Sequence, residues 1–481
     1  MRWTINQVAR ALGVTAPQGL DPVARLAGVS IDSRAVGRGE LFFAIHGPRH
    51  DGHAFVGAAL SSGAGAAVVA ASRLGDYPDG IREKLFAVPE TLAALQQLAQ
   101  AIRREWGGRV AAVAGSVGKT TTKEILAALV AARFRVLKTE GNLNNEYGLP
   151  LTLAKLEPDH EAAVLELGMS RRGELARLTA IAEPEIGVIT RIAVEHLEFF
   201  SGVDEIALAE RELIEGLPGR DTISVINADD AYAGDFSTVA PGRVVTFGLS
   251  AAADFRAEAI EDRGADGSVF TLVAPEGRAR LTLSLAGRHN VTNALAALAA
   301  SNVWGIGAQE AARVLPRLTP AAMRGEVLRF EEGFTVINDC YNSSPTAVVS
   351  MIDLLASTPG VRRRILAAGE MLELGSTSIE LHRESGRYAA AKKIDWIVGV
   401  QGDAAELVRA AVNAGAPPDQ SKFFTTSQDA AEFISALIEP GDLLLVKGSR
   451  GVRMERIIEA IRAKHALPEA AAGVSRGPER H

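Results

Sequence analysis

The sequence predicts an α/β chain of three domains built on parallel sheets, and three observations carry that expectation. A length of 481 residues exceeds what one hydrophobic core serves, and about 150 residues per domain gives a prior of about three. Hydrophobic residues make up 47%, charged residues 23% and aromatic residues 5%, a globular profile that excludes a largely disordered or fibrous chain. Apolar β-branched runs alternate with Ala/Leu-rich helical stretches from end to end, the pattern of βαβ units.

Taken in order, the first ambiguous segment is the charge-free stretch Ala54 to Ser72, long enough to cross a bilayer. Ala, Gly and Ser dominate it and Ser61-Ser62-Gly63 interrupts it, so a helix, a turn and a short Val68-Val69 strand are expected instead. Strands are then expected at Val110–Ala114, Ala163–Leu167, Ile186–Thr190, Ser224–Asn227, Thr335–Asn338, Arg364–Ala367, Trp396–Val400 and Leu443–Val446. Helical patterns cover Thr91–Arg104, Thr121–Ala131, Val291–Ala300 and Ala347–Leu355. Between Asp254 and Leu285, short alternating runs separated by Gly and Asp turns predict an antiparallel flank. Boundaries fall near Val88-Pro89 and near Leu318-Thr319-Pro320, giving domains 1–88, 89–319 and 320–467, with 468–481 a frayed tail.

Lys plus Arg total 51 and Asp plus Glu 58, a formal charge of −7 without the basic excess that nucleic-acid binding needs. Any anionic ligand must therefore be held by local charge and backbone amides. Cys340 is the single cysteine, which excludes an intramolecular disulfide and fits a reducing cytosol. The opening residues lack a long apolar signal core, and a cytoplasmic protein without membrane insertion is expected.

Val110 to Thr122 is the most informative segment. An apolar strand runs into Gly115-Ser116-Val117-Gly118-Lys119-Thr120-Thr121, and the Gly-Lys-Thr opens a helix. Glycines let backbone amides converge on phosphate oxygens, and the helix N-terminus adds partial positive charge. Lys119 is placed to reach the β- and γ-phosphates, and the Thr120 hydroxyl to ligate Mg²⁺. The strict G-x-x-x-x-G-K-[ST] spacing fails because position 113 is Val, leaving a shorter G-x-x-G-K-T-T form. Glu166 ends an apolar strand, the usual place for a carboxylate aimed at a nucleotide's metal.

From here the chain resembles the Mur ligase family of ATP-dependent amide-forming enzymes. The resemblance rests on Asp32-Ser33-Arg34, Asp51-Gly52-His53, the phosphate loop, and Gly141-Asn142-Leu143-Asn144-Asn145. It continues through Glu166-Leu167-Gly168-Met169, Glu195-His196-Leu197-Glu198 and Gly287-Arg288-His289-Asn290-Val291-Thr292-Asn293. The last pieces are Asp339-Cys340-Tyr341-Asn342, Gly369-Glu370-Met371-Leu372-Glu373-Leu374-Gly375 and Lys447-Gly448-Ser449-Arg450. Each piece is weakly specific; together, in the family's order, they are strong.

The resemblance implies a small N-terminal UDP-sugar domain, a central P-loop-type sheet and a C-terminal Rossmann-like domain, with ATP between the last two. The Asn-rich loop and the Glu-Met-Leu-Glu-Leu-Gly segment point to the branch that adds D-alanyl-D-alanine to UDP-N-acetylmuramoyl-tripeptide through an acyl phosphate. It further implies two Mg²⁺ ions, held with Thr120, Glu166 and His196, and a monomer. Asn290 and Asn293 would lie near adenine, although helix capping by Asn290 is an equally ordinary reading. Arg324 would reach the γ-phosphate and Asp339 the ribose. Ser33, Arg34 and His53 resemble the uridine-diphosphate site, Asn144 and Asn145 the muramoyl-peptide side, and Tyr341 and Asn342 the dipeptide side.

One departure stands out. The family carries a carbamylated lysine fourteen residues after the metal-site histidine, and Glu210 occupies that position here. Arg191 stands where the family has Asn, Glu195 where it has Ala, and Phe200 where it has Gly. Three readings stay open: Glu210 supplies the carboxylate without CO₂ chemistry, Glu195 takes over as a ligand, or the second metal site is weakened. The competing functions are a ligase for another amino acid and a nucleotide-binding relative that has lost ligation.

Overall fold

The computed structural model describes residues 3–47 and 50–468, so the expected tail, apart from Pro468, lies outside the described residues. The α/β expectation holds: the chain forms three sheets, each dominated by parallel pairing. The first has four parallel strands in the order Val29–Ser30, Leu41–Phe43, Ala66–Ala70, Leu85–Val88. The stretch read as a helix, a turn and a strand rather than a membrane span forms the helix Val56–Ser61 and the strand Ala66–Ala70. No helix among the described residues is long and apolar enough to cross a membrane.

The central sheet has nine strands. Its antiparallel flank, Gly277–Leu283, Ser268–Ala274 and Phe255–Asp262, falls in the segment where short alternating runs predicted it. Parallel strands follow in the order Arg243–Gly248, Ile223–Asn227, Ile186–Ile189, Arg109–Ala114, Ala162–Glu166, Val136–Lys138. Side chains of Arg109–Ala114 alternate between two cores: Val110, Ala112 and Ala114 face one, Ala111 and Val113 the other. That period of two, with every one of these residues fully buried, is why the strand reads as a continuous apolar run. Helices Thr91–Trp106, Glu174–Ala182 and Val203–Glu215 contribute to the first core; Lys119–Val130 and His289–Val303 contribute to the second.

The third sheet runs Glu326–Arg329, Thr335–Asp339, Asp442–Lys447, Arg363–Gly369, Trp396–Val400, Ser421–Phe424, antiparallel only in its first pair.

The strand order of the central sheet decides where a ligand can sit. After Arg109–Ala114 the chain crosses to one side through Val136–Lys138 and Ala162–Glu166, then returns to the other side at Ile186–Ile189. The reversal leaves a crevice at the C-terminal ends of three neighbouring strands, the standard binding place in an open parallel sheet. Those ends deliver Gly115, Glu166 and Thr190 side by side.

Candidate active site

The turn after Arg109–Ala114 needs glycine twice. Gly115 has φ +117°, and a Cβ there would lie 2.4 Å from Thr190 Oγ1; Gly118 has φ +96°, and a Cβ would lie 2.3 Å from Asn293 Oδ1. The helix begins at Lys119, and Thr122 N–H donates to the Gly118 carbonyl, so the amides of Lys119 to Thr121 belong to the first turn. The amides just before the helix are turned inward: Gly115 N–H donates to Glu210 Oε2 at 2.7 Å, and Ser116 and Val117 N–H to the Arg191 carbonyl at 2.7 and 3.3 Å.

Lys119 Nζ donates to the carbonyls of Gly115 (2.5 Å) and Ser116 (3.1 Å) and lies 3.6 Å from Glu195 Oε1. Burial works against its charge, but Glu195, Glu210 and Glu166 outweigh that and raise its pKa. The Arg324 charge opposes them. Three carboxylates and two cations thus converge on one loop.

Each carboxylate is held differently. Glu166 is 3% exposed; its N–H donates to Thr139 Oγ1 and its Oε1 accepts from Asn144 Nδ2 at 2.8 Å, while Oε2 is buried without a hydrogen-bond partner. Glu210, 1% exposed, sits in the helix Val203–Glu215 beneath the loop. Burial pushes its carboxyl up to about 7, with Glu195 adding to the rise while Lys119, the Gly115 N–H and His196 pull it back. Glu195 Oε2 lies 3.8 Å from His196 Nε2. His196 Nδ1 donates to Glu373 Oε2 at 2.5 Å, a contact between the central and third sheets. Burial lowers the His196 pKa, but Glu373 and Glu195 reverse the direction and raise it.

A cleft of about 370 Å³ opens beside the phosphate loop, lined by Thr121, Glu124, Leu285, Asn290, Pro320 and Arg324 among others. Asn290 is not the cap of its helix; its Nδ2 donates to the Ala286 carbonyl, and its Oδ1 accepts from Asn293 Nδ2 at 2.9 Å. Arg324 stacks on Tyr341, 4.1 Å from the ring centroid. Asp339 accepts from Lys447 Nζ at 2.6 Å, the two facing each other in register at the ends of adjacent strands.

Several expected ligand contacts are committed to the protein itself. Arg34 grips Asp32 through Nε and Nη2, at 3.0 and 2.8 Å, which spends its fork within the turn. His53 is buried; its Nδ1–H donates to Asp51 and its Nε2 accepts from the Ala70 N–H, so both ring nitrogens are taken. Ser33 is half-buried beside Arg34 in the loop after Val29–Ser30. Asn145 Oδ1 accepts from the Tyr147 and Gly148 N–H groups and opens the helix Gly148–Leu153, while Asn144 orients Glu166. The Asn342 carbonyl accepts from Lys447, and its side-chain oxygen from the Ser343 N–H.

Residues to which sequence reading gave no ligand contact also build the site. Glu373 fixes His196, Thr190 backs Gly115, Thr139 holds the Glu166 backbone, and the Arg191 carbonyl ties down the loop. His196 (φ +52°), Glu373 (φ +64°) and Met323 (φ +58°), which precedes Arg324, are left-handed non-glycine residues. Such conformations cost of order 1–3 kcal/mol and persist where the surroundings over-determine them.

Comparison with known proteins finds similarity along most of the chain. Sequence profiles match in three consecutive blocks: Mur ligase family, catalytic domain (25–103), Mur ligase middle domain (113–301) and Mur ligase, glutamate ligase domain (323–450). The UDP-N-acetylmuramoyl-tripeptide–D-alanyl-D-alanine ligase of Bacillus subtilis is 34% identical over 432 residues, 90% of this chain and 92% of that one. Its Escherichia coli counterpart is 34% identical over 437 residues, 90% and 93% of the two chains. A crystal structure of MurF from Acinetobacter baumannii superposes with a TM-score of 0.86 at 29% identity, covering 96% of this chain and 99% of that one. MurF ligase from Thermotoga maritima in complex with ADP gives 0.78 at 28%, covering 91% and 97%.

Two outcomes follow from the loop. Gly118→Ala places a side chain on Asn293 at positive φ, and isothermal titration with ADP should show affinity lowered about ten- to a hundredfold. For Glu210, a folded pKa near 7 against an ordinary 4.5 means the unfolded chain holds fewer protons between those values. Its contribution to stability is full below pH 4.5 and is lost as pH rises through 7. Urea unfolding of the wild type should therefore weaken across that window by up to about 3 kcal/mol relative to Glu210→Gln. Parallel pH profiles for the two proteins would refute the assignment.

Proposed function

The chain belongs to the Mur ligase family, and we propose that the cluster around Lys119 is where it activates a carboxylate with ATP. The activity is ADP-forming, ATP-dependent amide ligation: D-alanyl-D-alanine is joined to UDP-N-acetylmuramoyl-tripeptide in peptidoglycan precursor synthesis. The observation that carries this is 34% identity to ligases of that name over nine-tenths of the chain.

A carboxylate is a poor acyl donor until one oxygen becomes a phosphate leaving group. Its oxygen attacks the γ-phosphorus of ATP and ADP departs. The dipeptide's amine then attacks the acyl carbon, phosphate leaves, and a proton is released. What the chain supplies is positioning and charge neutralisation. Lys119, together with the amides of the first turn after Gly118, serves the phosphates. Arg324, steadied by the Tyr341 ring, serves the γ-phosphate, and Gly115, Ser116, Val117 and Thr121 shape the cradle. The 370 Å³ cleft that Asn290 lines takes the adenosine, Asn293 abutting the loop at Gly118 and Asp339 serving the ribose.

The residues fit Mg²⁺. Glu166 Oε2 is a buried carboxylate oxygen without a partner, at the end of the strand beside the one that leads into the phosphate loop and the helix whose first turn bears the Thr120 hydroxyl. Among the described residues no three His, Cys, Asp or Glu side chains form a complete metal-holding group, so phosphate oxygens and water would complete the shell. Bound there, Mg²⁺ would neutralise charge building on the transferring phosphoryl group. His196 would hold the second ion.

The first domain, 1–88, would take the UDP-sugar through the backbone and Ser33 of the Asp32-Ser33-Arg34 turn. His53 would shape that region from within. Residues 89–319 and 320–467 would form the ATP and ligase domains, closing on one another to keep water from the acyl phosphate. Asn144 and Asn145 border the muramoyl-peptide side, and Tyr341 and Asn342 the dipeptide side. A cytoplasmic monomer fits a reaction on soluble substrates.

Pure protein with Mg²⁺, ATP and the UDP-linked tripeptide should release ADP strongly only when D-alanyl-D-alanine is added, one amide per ADP. Lys119→Ala should lower that rate on the order of a hundred- to a thousandfold. ATP binding without stimulation by the dipeptide would mean another amine substrate or a retired ligase.

A further inference from the structure

The three carboxylates around Lys119 divide the work. Glu210, at the position of the family's metal-site lysine, is turned to the protein: its Oε2 takes the Gly115 N–H at 2.7 Å, and the residue is 1% exposed. A carboxylate pinned beneath the phosphate loop braces that loop. Glu195 is placed otherwise. Its side chain retains 12% exposure, and its two oxygens lie 3.6 Å from Lys119 Nζ and 3.8 Å from His196 Nε2, both beyond hydrogen-bond length. Because Glu373 occupies His196 Nδ1, it is Nε2 that turns to Glu195. Glu166, whose Oε2 is buried and unpartnered, acts electrostatically on the same Lys119. A histidine nitrogen and a loosely held carboxylate oxygen thus stand 3.8 Å apart beside Lys119, a pair of donors that suits a divalent cation when phosphate oxygens and water complete its shell.

We propose that Glu195, with His196 Nε2, holds the second divalent cation of this ligase, while Glu210 is a positioning residue that supports the phosphate loop through Gly115. The proposal rests on the ligase reading. It makes the metal site a permanent carboxylate site, independent of dissolved CO₂.

The test is a Mn²⁺ titration of the full-length protein saturated with AMPPNP, free Mn²⁺ being followed by electron paramagnetic resonance. Wild type should bind two Mn²⁺ per chain. Glu195→Ala and Glu195→Gln should each lose the weaker site by at least tenfold, and Glu195→Asp should recover part of it. Glu210→Gln should keep both Mn²⁺ sites and instead bind AMPPNP several-fold more weakly. Amide formation by the wild type should be unchanged in bicarbonate-free, CO₂-purged buffer. Two intact sites in Glu195→Ala, loss of a site in Glu210→Gln, or a requirement for bicarbonate would each overturn the proposal. Failure of the wild type to bind AMPPNP would instead remove the ligase reading, and the proposal with it.

Discussion

A mostly buried ammonium group has to be balanced, and the balancing of Lys119 organises this protein's centre. Its side chain bends back onto the Gly115 and Ser116 carbonyls, and Glu166, Glu195 and Glu210 supply the opposing charge. None of the acids comes from the same element. Glu166 ends one strand, Glu195 follows another, and Glu210 lies on a helix 95 residues beyond the amide it accepts. Satisfying one charge therefore fixes the relative placement of the phosphate loop, the neighbouring strand end and the helix Val203–Glu215.

The link to the third sheet is of the same kind. His196 and Glu373, 177 residues apart, share a short hydrogen bond while both hold left-handed backbone conformations. The Glu198 N–H donates to the Glu373 carbonyl as well, so two hydrogen bonds meet at one residue. Arg324 is steadied from the other direction by Tyr341, in the short loop after the strand Thr335–Asp339. Groups from two sheets are thereby presented to one crevice, which suits a reaction in which phosphate transfer and amine attack must occur in the same enclosed space.

Much of the fold could be read along the chain because parallel strands buried on both faces leave plain apolar runs. Trp396–Val400 is found where the sequence places it, and the antiparallel flank follows its change of period. The phosphate loop was legible for a local reason: two glycines, a lysine and a threonine act within seven residues. Where the sequence left side chains as candidate ligand contacts, the fold also gives them partners within the protein. His53 looks like a free imidazole until Asp51 and the Ala70 amide take its two nitrogens. Asn144, a candidate substrate contact, also donates to Glu166, which the fold brings to it. Glu210 and Glu195 read as interchangeable acids, and only their hydrogen-bond partners separate a loop brace from an open carboxylate.

By itself, then, the sequence determined the α/β class and the phosphate loop, because periodicity and close spacing are properties of neighbours along the chain. The tertiary structure alone decided which carboxylate serves which amide, which nitrogen of His196 is left to face Glu195, and which arginine remains available. Those outcomes depend on strand order and on hydrogen bonds closed across 95 to 177 residues. No local pattern in the chain encodes such a distance; it arises when the sheets place their C-terminal ends around a single charge.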